Sequence, residues 1–338
     1  GDGSPMYRHN GAGEMLVFSA ADFEDFREPR PDLPATLEAE LYAVTRHLVE
    51  NRWPFRIHGT YEESISRFLD VFERVNREVP FNGLHWIIDH AETVSERSIE
   101  RIRALGGGIA IQHRMAYQGE YFVERYGAKA AERTPPVRRM LDMGVPVGGG
   151  TDATRVASYN PWVGIAWLVS GRTVGGLAIT PGHLRLDRET ALRLYTEGSA
   201  WFSTEQGLKG ALVPGQYADF ALLSADFLKV PEDEIAELRS VLTVVGGRIV
   251  HADGPYAELA PPLPPHSPDW APPARFGGYQ HARAIQAADA ASALSSVACC
   301  TSACAVHGHA HARAYGAAVP ARDLAGFWGA LGCACFAF

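Results

Sequence analysis

No stretch of the 338-residue chain is long and apolar enough to cross a membrane as a helix, and the first residues lack the basic-then-apolar order of a secretory leader. The longest uncharged apolar runs, Val156 to Gly171 and Leu324 to Phe338, fall short of the roughly 20 residues a span needs, and Asn160-Pro161 interrupts the first. No membrane partner is expected. Basic charge is also scarce: 31 Lys and Arg stand against 39 Asp and Glu, a net charge of -8. A nonspecific nucleic-acid binder needs a cationic footprint that this chain lacks, so a small-molecule ligand is expected instead. Cysteine is absent until Cys299, and its count of five is odd, so the chain is no disulfide framework. A reducing compartment, the cytoplasm, follows as the expectation. The first position is Gly and not an initiator Met, and the opening residues read as a loop leaving an element upstream. With 46% apolar and 21% charged residues the chain builds a sizeable globular core.

From Glu14 to about Phe202, short apolar runs alternate with helical periodicity, the pattern of strand–helix units over a parallel sheet. Strands are expected at Met15–Phe18, Phe55–Ile57, Leu84–Ile88, Gly108–Ile111 and Val145–Val147. Between them, helices are expected with Leu37, Leu41, Val44 and Leu48 on one face, with Ile65 to Val75 buried, after a cap at Ser95, and around Val137 to Leu141. A long connection separates His113 from Val137. Each apolar run is followed by a polar residue, which places His58, His90, Gln112 and Asp152 at the C-terminal ends of strands, where α/β barrels carry their chemistry. A full eight-stranded barrel takes about 250 residues. Glu14 to Phe202 spans 189, so the expected fold is α/β, a partial (β/α)8 TIM-type barrel of about strands 4 to 8, with an open doubly wound sheet as the alternative.

Residues 207–260 read as a small β appendage, with Gly246-Gly247 in a tight turn. Residues 261–338 contain no Lys and no Glu and read as an irregular tail. The expected division is therefore 1–206, 207–260 and 261–338.

Two imidazoles and a carboxylate at separate strand tips, His58, His90 and Asp152, suit a divalent ion, zinc first, which would lower the pKa of water and let hydroxide attack at neutral pH. Each alone could equally line a polar pocket; the three together point to an active site. Gln112, His113, Arg155 and Trp162, with Arg114, Tyr117 and Tyr159, follow strand ends and could orient a substrate. Gly148-Gly149-Gly150 has no Lys-Ser/Thr after it, so it gives backbone room near Asp152 and no phosphate cradle. His9, His85 and His183 are assigned to structure or surface.

Ile57-His58-Gly59, Ile87 to Ala91, Gly149 to Ala153, Asn160-Pro161-Trp162, and the run from Glu189-Thr190-Ala191-Leu192 to Gly215-Gln216-Tyr217-Ala218-Asp219, closing with Val245 to Arg248, resemble the amidohydrolase superfamily and, within it, the amidohydrolase-3 (YtcJ-like) branch. The resemblance implies metal ligands at His58 (fifth barrel strand) and His90 (sixth), and at Asp152 an eighth-strand aspartate that binds metal and moves a proton to the leaving group. It implies hydrolysis of a non-peptide carbon–nitrogen bond. The family pattern also has a His-x-His pair on the first strand and a carboxylated Lys or a Glu near the fourth. This sequence is read as having neither upstream of His58, so the chain is expected to lack the N-terminal part of the site. Gly-Thr-Tyr-Glu after His58 and His113 after Gln112 depart from the commoner Ala-Ile-Gly-Asp and Pro.

His307-Gly308-His309-Ala310-His311 contains the chain's His-x-His pattern, beside Cys299, Cys300 and Cys304, with Cys333 and Cys335 further on. A permuted barrel is rejected, because the tail has no strand–helix units. The cluster could form a separate soft-metal site, although its spacing matches no standard zinc motif. The rival to an enzyme is a noncatalytic metal-binding or regulatory protein on a degenerate scaffold. Homo-oligomerisation is left open.

Overall fold

The structure, a computed structural model, describes residues 3–4, 7–23, 25–153 and 157–262. A two-stranded antiparallel ladder, β1 (Gly3–Ser4) and β2 (Tyr7–Arg8), precedes the main sheet. Four parallel strands form that sheet in the spatial order β3 (Phe55–Gly59), β4 (Trp86–His90), β5 (Gly108–Gln112) and β6 (Val147–Gly150). Spatial order equals chain order, so every unit adds at the same edge. A doubly wound sheet would reverse direction at a switch point. The winding is that of a barrel segment, and the expected partial TIM-type barrel is the fold.

Alternation along the strands explains both faces. Phe55, Ile57, Trp86, Ile88, Ile109 and Ile111 are buried. They form one face of the sheet and pack toward the helices, as the edge-on contact of Phe55 with Phe72, 5.4 Å between ring centroids, illustrates. The opposite face carries Arg56, His58, Ile87, Asp89, Ala110 and Gln112, and a cleft of ≈ 440 Å³ opens over its lower part beside Arg56, Ile87, Ala110 and Gly148 to Gly150. Burial of the first set drives folding at about 25 cal/mol per Å² of apolar surface; the second set leaves room for polar chemistry.

Helices α1 (Leu37–Glu50), α2 (Glu62–Glu78), α3 (Glu96–Ala104), α4 (Arg114–Tyr126), α5 (Ala128–Ala131), α6 (Val137–Asp142), α7 (Pro161–Ser170) and α8 (Arg188–Arg193) connect or follow the strands. On α1 the buried stripe is Leu37, Leu41, Thr45 and Val49. Val44 and Leu48, expected on that face, are half-buried beside it. The Ser95 hydroxyl accepts the N–H of Ser98 at 3.1 Å, capping α3 as expected. The connection after His113 is largely helical, because α4 buries Met115, Ala116, Gly119 and Phe122.

The expected strand at Met15–Phe18 is displaced upstream. The Ala12 N–H donates to Pro54 O at 2.9 Å, Arg56 N–H to Ala12 O at 2.9 Å, and His58 N–H to Glu14 O at 3.2 Å, so residues 12–14 run parallel to β3. Gly11 and Gly13 permit it: a Cβ at either would strike the carbonyl of Pro54 or Arg56. Phe18–Ala20 is a 3-10 turn.

Beyond the barrel segment, β7 (Phe220–Leu223), β8 (Ser240–Val245) and β9 (Arg248–Ala252) make an antiparallel sheet in that order. Gly246 and Gly247, at φ 57° and 76°, turn β8 into β9, the positive-φ pair a tight hairpin requires. Leu242, Val244 and Ala252 form a small core of their own, whereas Phe227, Ile235 and Leu238 join the main core.

Candidate metal centre

His58 leaves β3 and His90 ends β4. Neighbouring parallel strands bring the two imidazoles together, and their ring centroids lie 4.1 Å apart. The pairing of residues 12–14 with β3 then delivers Glu14 to the same place. Its Oε1 is 3.7 Å from His58 Nδ1 and its Oε2 is 3.4 Å from His90 Nε2. The three donor atoms all lie within 4.8 Å of one another, the one such group among the described residues.

Each imidazole is held from its far side. Asp22 Oδ1 lies 3.4 Å and Thr60 Oγ1 3.2 Å from His58 Nε2. Gln112 Nε2 lies 3.1 Å from His90 Nδ1. The nitrogens that face Glu14 are thus Nδ1 of His58 and Nε2 of His90. His90 Nε2 is buried and makes no hydrogen bond. Contacts with His58 and then His90 hold the Glu14 carboxyl far below the ordinary carboxylate range, against its burial. Burial works against the charged forms of His58 and His90, yet Glu14 and the surrounding carboxylates raise both. An anion between two imidazoles attracts protons when nothing else is bound; a divalent cation satisfies the same donors better.

The donor set passes a geometric test. Tetrahedral zinc with bonds of about 2.0–2.1 Å sets neighbouring donors about 3.4 Å apart, close to the 3.4 and 3.7 Å seen here. Two His and one carboxylate is also a ligand set of catalytic zinc, which keeps one position open.

The strand ends are bent to aim these groups. His90, Ala91 and Asp152 have positive φ, 77°, 57° and 49°, a conformation that non-glycine residues adopt at a cost and that collects at functional sites. Asp152 is exposed as a residue while its carboxyl is half-enclosed at the rim, and it lies outside the three-donor group. Burial of its carboxyl pushes it upward, while the charges of His90, Arg114 and His58 pull it down and that of Glu14 pushes it further up, so it shares the field of the site.

Glu92, two residues past His90, is fully buried, and neither carboxyl oxygen makes a hydrogen bond; burial pushes it up to about 7. Below the pair, Asp89 is buried against Arg56, whose Nε donates to Oδ2 at 2.7 Å.

The residues expected to orient substrate divide. Gln112 is buried against His90, as given above. His113 is fully buried, with burial lowering it to about 4, and its ring lies 5.7 Å from that of Tyr117. Trp162 packs on Phe227, 5.4 Å between rings, tying α7 to the segment that precedes β8. Arg114 is buried in the first turn of α4, and Tyr159 is exposed. Arg155 lies outside the described residues, as do Cys299, Cys300, Cys304, His307, His309 and His311.

Sequence reasoning missed Glu14, Asp22 and Glu92. Glu14 sits one residue before the strand expected at Met15, and the Gly11-x-Gly13 spacing that lets it approach β3 is the signal that could have found it.

Parallel strands wound in one direction gather imidazoles and a carboxylate at one rim of a barrel-type sheet, a group that could hold a metal ion. The family model for the amidohydrolase family matches residues 4–251, and the chain belongs to that family. It is similar to the Bacillus subtilis protein YtcJ, whose name places it among the amidohydrolases, with 25% identity over 235 residues, 67% of this chain and 44% of that protein. A solved structure described as an uncharacterized metal-dependent hydrolase from Pyrococcus horikoshii shares 26% identity at a TM-score of 0.50, over 58% of this chain and 39% of the other. A second, from Pyrococcus furiosus and described in the same words, shares 26% identity at a TM-score of 0.48, over 57% and 38%. The chain thus spans less than half the length of these relatives.

Proposed function

We propose that this chain carries the metal-binding part of a metal-dependent hydrolase that cleaves a non-peptide carbon–nitrogen bond in a small molecule. The observation that carries the reading is the convergence of Glu14, His58 and His90 at one rim of the parallel sheet. These three would hold a divalent ion, and two His with one carboxylate is a ligand set that catalytic zinc uses. When bound, the ion supplies Lewis-acid polarisation and activation of water near neutral pH.

The chain's own groups do the rest. Asp152 stands at the mouth on the tip of β6, with its carboxyl raised by burial, and is suited to take a proton from the attacking water and return it to the departing nitrogen. Gln112 keeps the His90 imidazole turned toward the ion. Glu14 takes the place of the strand-four carboxylate that the resemblance calls for. Asp152 then serves proton transfer first, and metal contact only when the ion is in place.

Metal content and turnover test the reading together. Purified chain loaded with zinc should hold about one equivalent at this site, lost in His90→Ala and retained in Cys300→Ser. Asp152→Asn should keep the zinc and lose at least 100-fold in hydrolysis of a responsive amide from a panel of N-acyl and cyclic amides. Zinc lost in Cys300→Ser and retained in His90→Ala would overturn the assignment and place the ion in the tail.

A further inference from the structure

Asp22 is fully buried, and nothing in the reaction requires it there. Its carboxylate accepts the N–H of Thr60, at 3.1 and 3.0 Å from its two oxygens, and the N–H of Tyr61 at 3.1 Å. It therefore sits on the turn between β3 and α2, where the chain leaves His58 behind. The remaining direction of Oδ1 is toward His58 Nε2, 3.4 Å away. Phe23 follows and packs edge-on against the same imidazole, 5.2 Å between ring centroids. Residues 22 and 23 thus wrap His58 on the side away from Glu14.

A neutral imidazole carries one proton, so one nitrogen donates its N–H to a neighbour's lone pair and the other keeps the lone pair that a cation can bind. The Thr60 and Tyr61 N–H groups can only donate and so call for the ionised Asp22, which has no proton to give and stabilises the tautomer with hydrogen on the nitrogen facing it. That leaves the other nitrogen with its lone pair. A hydroxyl is ambivalent: Thr60 Oγ1, 3.2 Å from the same Nε2, can donate or accept and selects neither tautomer by itself.

We propose that Asp22 is the positioning residue of the site, fixing His58 as the Nε2–H tautomer so that Nδ1 is the atom offered to the ion beside Glu14. The assignment rests on the metal-centre reading above. It adds a residue that touches neither the ion nor a substrate and reaches the ion only through His58. Deletion of such an outer partner commonly weakens metal binding 10–100-fold.

The ordering of two substitutions separates this role from a structural one. Asp22→Asn keeps the volume and, through its carbonyl oxygen, can still accept from the Thr60 and Tyr61 N–H groups. Its amide NH2 then points at Nε2 and donates to it, which forces the proton onto Nδ1 and closes the nitrogen that should bind. Asp22→Ala removes the backbone bonds yet leaves the tautomer free. Zinc affinity of the full chain, measured by chelator competition alongside a thermal melt, is therefore expected to fall at least tenfold in Asp22→Asn, further than in Asp22→Ala, whereas the melting temperature falls more in Asp22→Ala. The 15N shifts of His58 in the zinc-loaded protein should report a protonated Nε2 in the wild type.

Equal affinity of Asp22→Asn and wild type would overturn the proposal, and so would an affinity loss that simply follows the loss of stability. A loss confined to Thr60→Val would overturn it as well, by giving the role to the hydroxyl. Failure of the wild-type chain to bind zinc at all, or undiminished binding in His90→Ala, would instead overturn the metal centre on which the proposal stands.

Discussion

Gln112 Nε2 lies 3.1 Å from His90 Nδ1, so the last residue of β5 holds the imidazole presented by β4. The amide can serve either tautomer by rotating half a turn. As oriented, its NH2 donates to Nδ1, and His90 Nε2 carries the hydrogen toward Glu14; its Oε1 is buried and makes no hydrogen bond. Turned over, Oε1 accepts from Nδ1–H, and Nε2 is bare for a cation. Gln112→Leu, which can do neither, should weaken zinc binding about 10–100-fold. Gln112→Glu, whose carboxylate accepts in both orientations, should stay within a few-fold of wild type in the same chelator competition. Equal affinities for Leu and wild type would remove Gln112 from the site's support.

Zinc should also appear as stability. A ligand that binds the folded state alone adds about 2.7 kcal/mol at a free concentration of 100 Kd. At roughly 2–4 °C per kcal/mol, that is a rise of roughly 5–10 °C in melting temperature. The rise should vanish with chelator and be absent in His90→Ala. A His90→Ala protein that still gains the full shift would place the stabilising ion elsewhere, the tail's cysteines and histidines being one other set of donors.

How the site was distributed along the sequence decided what could be read from it. His58 and His90 were visible because each stands at the end of a short strand pattern, Phe55-Arg56-Ile57 with its two apolar residues and Trp86-Ile87-Ile88 followed by Asp89. Gln112 was visible on the same ground, but its work was not, since a side chain at a strand tip carries no sign of which neighbour it touches. Glu14 was hidden for a different reason: residues 12–14 pair with β3 through backbone bonds beside two glycines, a contact that leaves no hydrophobic period. The helix α4 escaped because Gly119 and Gly127 and the proline pair Pro135-Pro136 read as a loop, while its burial of Met115, Ala116 and Phe122 is a tertiary effect. The closing Gly-x-x-Ala-Asp motif proves structural here, as Asp219 accepts the N–H of Gly246 at 2.6 Å and fixes the β8–β9 turn.

Ser95 tests the helix cap that was legible beforehand. Its hydroxyl accepts from Ser98 N–H and sits 2.8 Å from Glu62 Oε1, which also accepts from the Ser98 hydroxyl at 2.8 Å; the N-termini of α2 and α3 are thereby tied. Ser95→Ala should cost about 1 kcal/mol. The expected drop in melting temperature is roughly 2–4 °C. Ser95→Asp, which can also cap but repels Glu62, should fall at least as far; a Ser95→Asp protein more stable than wild type would show that the tie to Glu62 contributes nothing.

His113 gives the barrel a definite response to acid. It is fully buried at the start of α4, and burial lowers it to about 4, with the backbone of Gly150 and Ser158 offsetting this in part. The unfolded chain takes up the proton near 6.5. Between those values the unfolded state binds more protons than the folded one, so stability rises with pH across the window and is lost as pH falls from about 6.5 toward 4. The full loss is about 3 kcal/mol, at 1.4 kcal/mol per pKa unit. His113→Gln has no proton to take up, and its neutral amide fits the same site. Denaturant midpoints of the wild type and His113→Gln at pH 7.5 and 4.5 should therefore converge as pH falls, with the variant losing less. Parallel loss in the two proteins would mean that His113 is protonated as readily in the folded chain as in the unfolded one, and that its burial is not what the structure shows.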